Sequence, residues 1–323
     1  LLIFYSLILF QKIWFRRSSM KWLLSNNVLQ SNNVLLLLWV SLMASSFVVS
    51  ADLIPYANSI TSTGLRFILA SIMMIPLVAM NYTPMANSKI YLHYGLISLF
   101  LVLFFIGLFE ALKTTTAMRT SVIYTLVPLI SIVVTFVLLK TKTSKIKLLG
   151  FVLGSAGAIL VLLAFNQDNI EFFSWYSGDS IFVVACYCLS IHVVLVKKWG
   201  ADVPPIQGSF YIMVLGGLML LPFMAVFGEL DQVAWQVSEF WSILLYLTVF
   251  TTMATFFLQQ RLVQKVGPNQ LLAFTYLIPI LVVIPEGWSA ITHLKESMSE
   301  SVSGILITLL ALYLISKEQK SIP

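Results

Sequence analysis

Two prolines interrupt long apolar runs: Pro128 in Tyr124-Thr125-Leu126-Val127-Pro128 and Pro279 in Thr275-Tyr276-Leu277-Ile278-Pro279. Proline has no N–H for the carbonyl four residues before it, so a helix through either site releases the acceptor of Tyr124 or Thr275. Such a carbonyl is costly in apolar surroundings unless water, protein or ligand meets it. With Thr125 and Tyr276 alongside, each site offers a carbonyl, a hydroxyl and an aromatic face. That set suits a cradle for a small amphipathic solute, or a plain packing kink. Trp39, Met43, Ser46 and Phe47 share one helix face by their i, i+4, i+7, i+8 spacing. Trp39 and Ser46 therefore join the candidate binding residues.

Charges inside apolar runs are the second signal. Arg66 lies about six residues into its run, where a guanidinium reads as a gate or an anion ligand. Glu110 is placed to pair with Arg66, or with Lys113 at i+3. His192 is a lone histidine that either titrates near neutral pH or is held by helix packing. Glu286 follows Pro279 by seven residues, beside Trp288, and reads as an interfacial acid or a coupling group. Gln259 and Gln260 precede Arg261, one of them facing the interior. Neither HExxH, a GxxxxGK[ST] phosphate loop nor a nucleophile with its base occurs, so no catalytic residue, metal site or cofactor is assigned. Cys186 and Cys188, two residues apart, point to different helix faces and read as packing residues.

The elements that must carry these residues follow from composition. Hydrophobic residues make up 59% of the 323 and charged ones only 10%, with a mean hydropathy of +0.95. No soluble core hides that much apolar surface. The apolar runs fall at 34–52, 61–80, 93–112, 119–139, 147–165, 178–196, 208–227, 240–260, 270–287 and 302–316. All but the last, which is shorter, match the about 20 residues that cross a bilayer as a helix. The expected fold is an all-α integral membrane protein of ten transmembrane helices, the repeats spanning 34–165 and 178–316. Residues 1–33 form an N-terminal segment and 317–323 a cytoplasmic tail. Met20-Lys21-Trp22 reads as an ordinary start, which would make 1–19 an upstream extension outside the fold.

Of the 19 basic residues, all but Arg66, Lys113, Arg119 and Lys295 fall on one side when alternate connections are counted. Both termini are therefore predicted cytoplasmic. The net charge of +6 reports orientation rather than a nucleic-acid partner. The Lys140, Lys142, Lys145, Lys147 run reads as topology and contact with anionic membrane lipids rather than as a binding site. Gly150, Gly154 and Gly157 form a small-residue face for close helix packing, with a homodimer interface as the alternative.

An internal repeat orders these segments. Ser121 to Ile130 resembles Leu272 to Leu281, Ser45-Ser46-Phe47 lines up with Ser190-Ile191-His192, and Pro76-Leu77 with Pro222-Phe223. Halves of five helices cross the membrane in opposite senses, which places a shared site between them.

The order and spacing of these parts resemble the EamA-type members of the drug/metabolite transporter superfamily over roughly residues 33–316. The matching parts are Trp39 to Phe47, Leu65-Arg66-Phe67, Ala117 to Leu129, Gly150 to Gly157 and Gly267 to Pro279. The resemblance implies a ten-helix carrier with a central cavity lined from both halves. Where such repeats often end with a glutamate about twelve residues after the proline, this chain has Lys140 and Ile291. The expected function is a secondary transporter, an exporter of small metabolites such as amino acids or related amphipathic solutes. Its expected home is a bacterial cytoplasmic (inner) membrane. A membrane-embedded enzyme or a channel is the competing reading.

Overall fold

The computed structural model of the protein describes residues 32–80, 82–84, 89–165, 175–283 and 298–319. Among them every regular element is helical: α1 (Asn32–Leu53), α2 (Ser59–Ala79), α3 (Lys89–Leu112), α4 (Ala117–Ile123), α5 (Val127–Leu139), α6 (Lys145–Phe165), α7 (Ser177–Trp199), α8 (Pro205–Phe227), α9 (Ser238–Thr248), α10 (Thr255–Ala273), α11 (Ile278–Val283) and α12 (Met298–Gln319). One 3₁₀ turn, Tyr124–Leu126, joins α4 to α5, and another, Phe274–Leu277, joins α10 to α11. A π-helical segment, Val249–Ala254, links α9 to α10.

The helices start and stop where local chemistry provides caps. Asn58 accepts the N–H of Thr61 at the head of α2, Thr116 that of Arg119 in α4, and Ser144 that of Lys147 in α6. Pro205 sits at the first position of α8, where its missing donor does no harm. Lys140 turns left-handed (φ 55°) and ends α5.

Seven helical stretches among the described residues are long and apolar enough to cross a bilayer, and α12 contains a shorter apolar stretch, Val302–Ser316. One of the seven, Ser238–Val282, runs 45 residues. A straight helix of that length would reach about twice across a hydrocarbon core of roughly 30 Å. It is not straight: Gly267 adopts φ 79°, ψ 163°, which only glycine occupies without strain, and Pro268 follows. The outer surface is apolar, with Ile72, Ile75, Val133, Phe136, Val137, Val184, Phe223, Leu306 and Leu309 all exposed. So broad an oily surface belongs in lipid. The chain is an integral membrane protein.

The helices pack as two interleaved halves. α2 lies along α8, and α6 along α12; α3 packs on α7 while α1 packs on α9 and α10. Exchanging the halves maps the first two pairings onto themselves and the α3–α7 pairing onto that of α1 with α9, as a repeated unit requires. The glycine face of α6 is used inside the chain. A β-carbon at Gly157 would lie 2.8 Å from the Gly304 carbonyl and 2.9 Å from the Thr308 nitrogen, and one at Gly154 would lie 2.4 Å from the Tyr276 ring. That face is therefore covered by α12 and Tyr276, which removes it as the surface for a second copy.

Candidate functional site

Arg66 is the eighth residue of α2, about 10 Å from the helix start at 1.5 Å per residue, and fully buried. Its partners come from the other half. Nη2 donates to Thr251 Oγ1 at 2.9 Å and to Thr252 Oγ1 at 3.0 Å, and Nε to Thr252 Oγ1 at 3.2 Å. The π segment presents both hydroxyls together, since each donates its own proton to the Leu247 carbonyl, at 2.9 Å in both cases. Their lone pairs are thereby left for the guanidinium. Its plane lies over Phe105, 4.4 Å from the ring centre, with Phe109 at 5.9 Å. No carboxylate among the described residues pairs with Arg66, and Nη1 has no hydrogen-bond partner. A buried cation held only by neutral groups has one donor edge unused.

Of the two pairings open to Glu110, the structure shows the one with Lys113 and not the one with Arg66. Glu110 binds Lys113 at 2.8 Å, both exposed, because Phe105 and Phe109 occupy the face of α3 turned to the guanidinium while Glu110 points outward. Glu286 lies outside the described residues.

An aromatic chain connects Arg66 to other candidates. Phe105 touches Phe104, which touches Tyr124 (centroids 5.2 and 6.2 Å apart), and Tyr124 meets Phe47 edge-on at 5.0 Å and stacks on Phe182 at 6.2 Å. Tyr124 is fully buried and its hydroxyl has no hydrogen-bond partner among the described residues, as is true of Trp39 Nε1. Met43, Ser46 and Phe47 are buried along the same face of α1 as Trp39. In the other direction Phe105 reaches Phe256, which packs on His192 at 5.9 Å.

The two proline sites do not present open carbonyls. The N–H of Val127 donates to the Tyr124 carbonyl, and that of Ile278 to the Thr275 carbonyl, each within its 3₁₀ turn. The turn tightens by one residue and so meets the acceptor that proline released. Thr125 and Thr275 hydroxyls bond back to Val122 and Leu272, both at 2.6 Å. Tyr276 turns away from the aromatic chain and donates to the Phe151 carbonyl at 2.8 Å, with Ser155 at 3.3 Å. Ser155 also reaches the Thr125 carbonyl at 3.4 Å, so the two turns are joined through α6.

His192 is fully employed. Nδ1 lies 2.9 Å from the Ile97 carbonyl, which can only accept, so Nδ1 carries the proton. Nε2 then accepts from Gln259 Nε2 at 2.9 Å. This is a neutral, packed histidine joining both halves.

At one end of the bundle Arg119 Nη2 binds Asp179 Oδ2 at 2.6 Å, tying α4 to α7. Asp179 also accepts from the Tyr176 N–H at 3.0 Å and the Thr115 hydroxyl at 2.9 Å. At the other end of α7, eighteen residues or about 27 Å away, Lys197 borders a cleft of about 480 Å³. Thr251, Thr252, Arg119 and Asp179 are the residues that sequence reasoning missed as site builders. The adjacent threonines in an apolar run were the available signal for the first two; no local signal joins residues 60 positions apart.

Comparisons with known proteins agree with this architecture. A model of the EamA-like transporter family matches residues 31–163 and again 176–317. The uncharacterized transporter YyaM of Bacillus subtilis is 23% identical over 247 residues, 74% of this chain and 80% of the relative. An uncharacterized transporter of Archaeoglobus fulgidus is 24% identical over 295 residues, 89% of this chain and 98% of its own. A WAT1-related chloroplastic protein of Arabidopsis thaliana is 23% identical over 308 residues, covering 90% and 72%. One protein of known crystal structure superposes with a TM-score of 0.64 over 90% of this chain and 97% of its own, at 14% identity, which speaks for the fold alone. A helical membrane bundle whose two halves each match one family model is a transporter scaffold, and this chain belongs to the EamA-like transporter family.

Proposed function

We propose that the protein is a secondary transporter, working as an exporter of small metabolites that carry a carboxylate, amino acids and related amphipathic solutes among them. The observation that carries this reading is the unused Nη1 edge of Arg66, buried between the halves with no acidic partner among the described residues. A carboxylate oxygen suits the two N–H donors left on Nη1, and the flanking aromatic chain suits an apolar side group. In this reading the two arms of the stretch broken at Gly267, together with α6 and α12, complete ten crossings, and five per half inverts the second against the first. The Arg119–Asp179 pair locks one end, while the opposite end is indented by the cleft. Rocking of the halves would break the pair, part the aromatic chain and open the site to the other side.

The test of function is a comparison of internal and external metabolite pools in cells lacking and overproducing the protein. A carboxylate solute should accumulate inside the first and outside the second. Unchanged pools of all carboxylate-bearing metabolites, with a solute lacking a carboxylate moving instead, would overturn the reading.

Orientation has its own test. With both termini and the Lys140–Lys147 loop in the cytoplasm, an impermeant thiol reagent applied outside should miss Ser144→Cys and label Ser174→Cys. The opposite labelling pattern would reject the orientation.

A further inference from the structure

We propose that the cleft at the lysine-rich end is a binding site for a phosphate oxyanion, borne by a lipid headgroup or by a free phosphate ester. Three lysines from three different helices line it: Lys147 of α6, Lys197 of α7 and Lys265 of α10. The first belongs to one half and the other two to the second half. No aspartate or glutamate is among the described lining residues. Sidedness of basic loops explains why lysines lie at this end of a membrane protein. It does not by itself account for three of them lining one concavity without an acid among the described lining residues, an arrangement whose positive potential favours an anion.

Two of the three lysines are also distinguished from their neighbours by burial. Lys147 and Lys197 are half-buried, whereas Lys140, Lys142, Lys145 and Lys198 are exposed. Lys197 is held in place by donating to the Gln264 carbonyl at 2.9 Å. Neutral donors complete the set. Asn269 lines the cleft, and its Oδ1 is taken up by Thr135 at 3.1 Å and Ser131 at 3.3 Å. The carboxamide N–H groups are left as donors without a partner among the described residues. Thr141 adds a hydroxyl at the rim. Ammonium groups with amide and hydroxyl donors around a space of about 480 Å³ suit a tetrahedral phosphate oxyanion. This site is separate from Arg66, and its occupancy does not depend on what the protein transports.

The experiment uses the full chain in neutral maltoside micelles. Native mass spectrometry with phosphatidylglycerol or phosphatidylcholine reads lipid retention, and thermal stability with inorganic phosphate reads a free ligand. Two charge-matched double variants are compared, Lys147→Gln/Lys265→Gln within the cleft and Lys140→Gln/Lys142→Gln outside it. The cleft pair should lower phosphatidylglycerol retention or phosphate affinity at least tenfold, the outer pair less than twofold, and Lys147→Arg/Lys265→Arg should restore binding. Retention of phosphatidylglycerol alone identifies a lipid headgroup; stabilisation by phosphate that also displaces the lipid identifies a free phosphate ester. Equal losses in both double variants, or no preference of the unaltered protein for either anion, would overturn the proposal. If the cleft pair reduces yield, Lys265→Gln alone supplies the same comparison, because that side chain is exposed and donates no hydrogen bond among the described residues.

Discussion

Arg66→Lys is expected to reach the membrane at near-normal abundance and to lose solute flux by about tenfold to a hundredfold at low solute concentration. A hydrogen bond to a charged group contributes roughly 1.5–3 kcal/mol, and about 1.4 kcal/mol corresponds to tenfold in affinity. Lysine keeps the charge but has a single nitrogen, so it cannot hold Thr251 and Thr252 while offering the N–H groups of a further nitrogen to a carboxylate. Its smaller, strongly hydrated ammonium also stacks less well on Phe105. Arg66→Gln should show the same loss of flux. It also removes the insertion cost of a charge within a span, roughly 2.5–3.5 kcal/mol at the helix centre on translocon scales and less at the depth of Arg66. Its abundance should therefore match or exceed that of the unaltered protein. Membrane abundance and flux are measured side by side across a range of solute concentrations, with the effect falling mainly on the concentration dependence. Normal flux in both variants would remove Arg66 from the transport path. Loss of abundance in both would make it an assembly residue.

The largest structural effect is expected at Gly157. A β-carbon there would meet main-chain atoms of α12, the Gly304 carbonyl and the Thr308 nitrogen, as well as the Thr308 hydroxyl at 2.6 Å. A backbone cannot rotate away as a long side chain can, so α6 and α12 must separate to admit even alanine. Overpacking of this kind costs about 1–3 kcal/mol for small increments, and more for valine. It also pulls at Ser155 and Gly154, which hold Tyr276 against α6. Gly157→Ala should lower the thermal midpoint of the purified protein by several degrees, and Gly157→Val should reduce membrane yield. Gly95→Ala is the control, because its β-carbon would meet nothing nearer than 3.7 Å. An unchanged midpoint for Gly157→Ala would mean that the two helices have room the structure does not show.

How much of this was legible in the chain can be argued residue by residue. The helical runs and most of their ends followed from hydropathy and punctuation, because lipid leaves the backbone no alternative to self-satisfied helices. The repeat was legible from Pro128 and Pro279, and both do introduce matched 3₁₀ turns. The use of those turns was not. Whether a released carbonyl faces a ligand or the next N–H is a matter of one residue's backbone angles, and Tyr276 pointing to Phe151 is decided by how closely Gly154 brings α6.

Arg66 was conspicuous as a charge in an apolar run, yet its partners lie 185 and 186 residues away on a π segment that propensity does not announce. Glu110, close in sequence to Lys113, was a local ion pair all along. The three cleft lysines read as a sidedness signal, since each one alone is only a loop charge. Composition, periodicity and proline placement determine that this chain is a two-fold repeated bundle of membrane helices, because those properties act along one helix at a time. Which faces meet was left to the tertiary structure. Nearly all faces are apolar, so partners are chosen by shape and by a few buried donors that carry no record of one another in the chain.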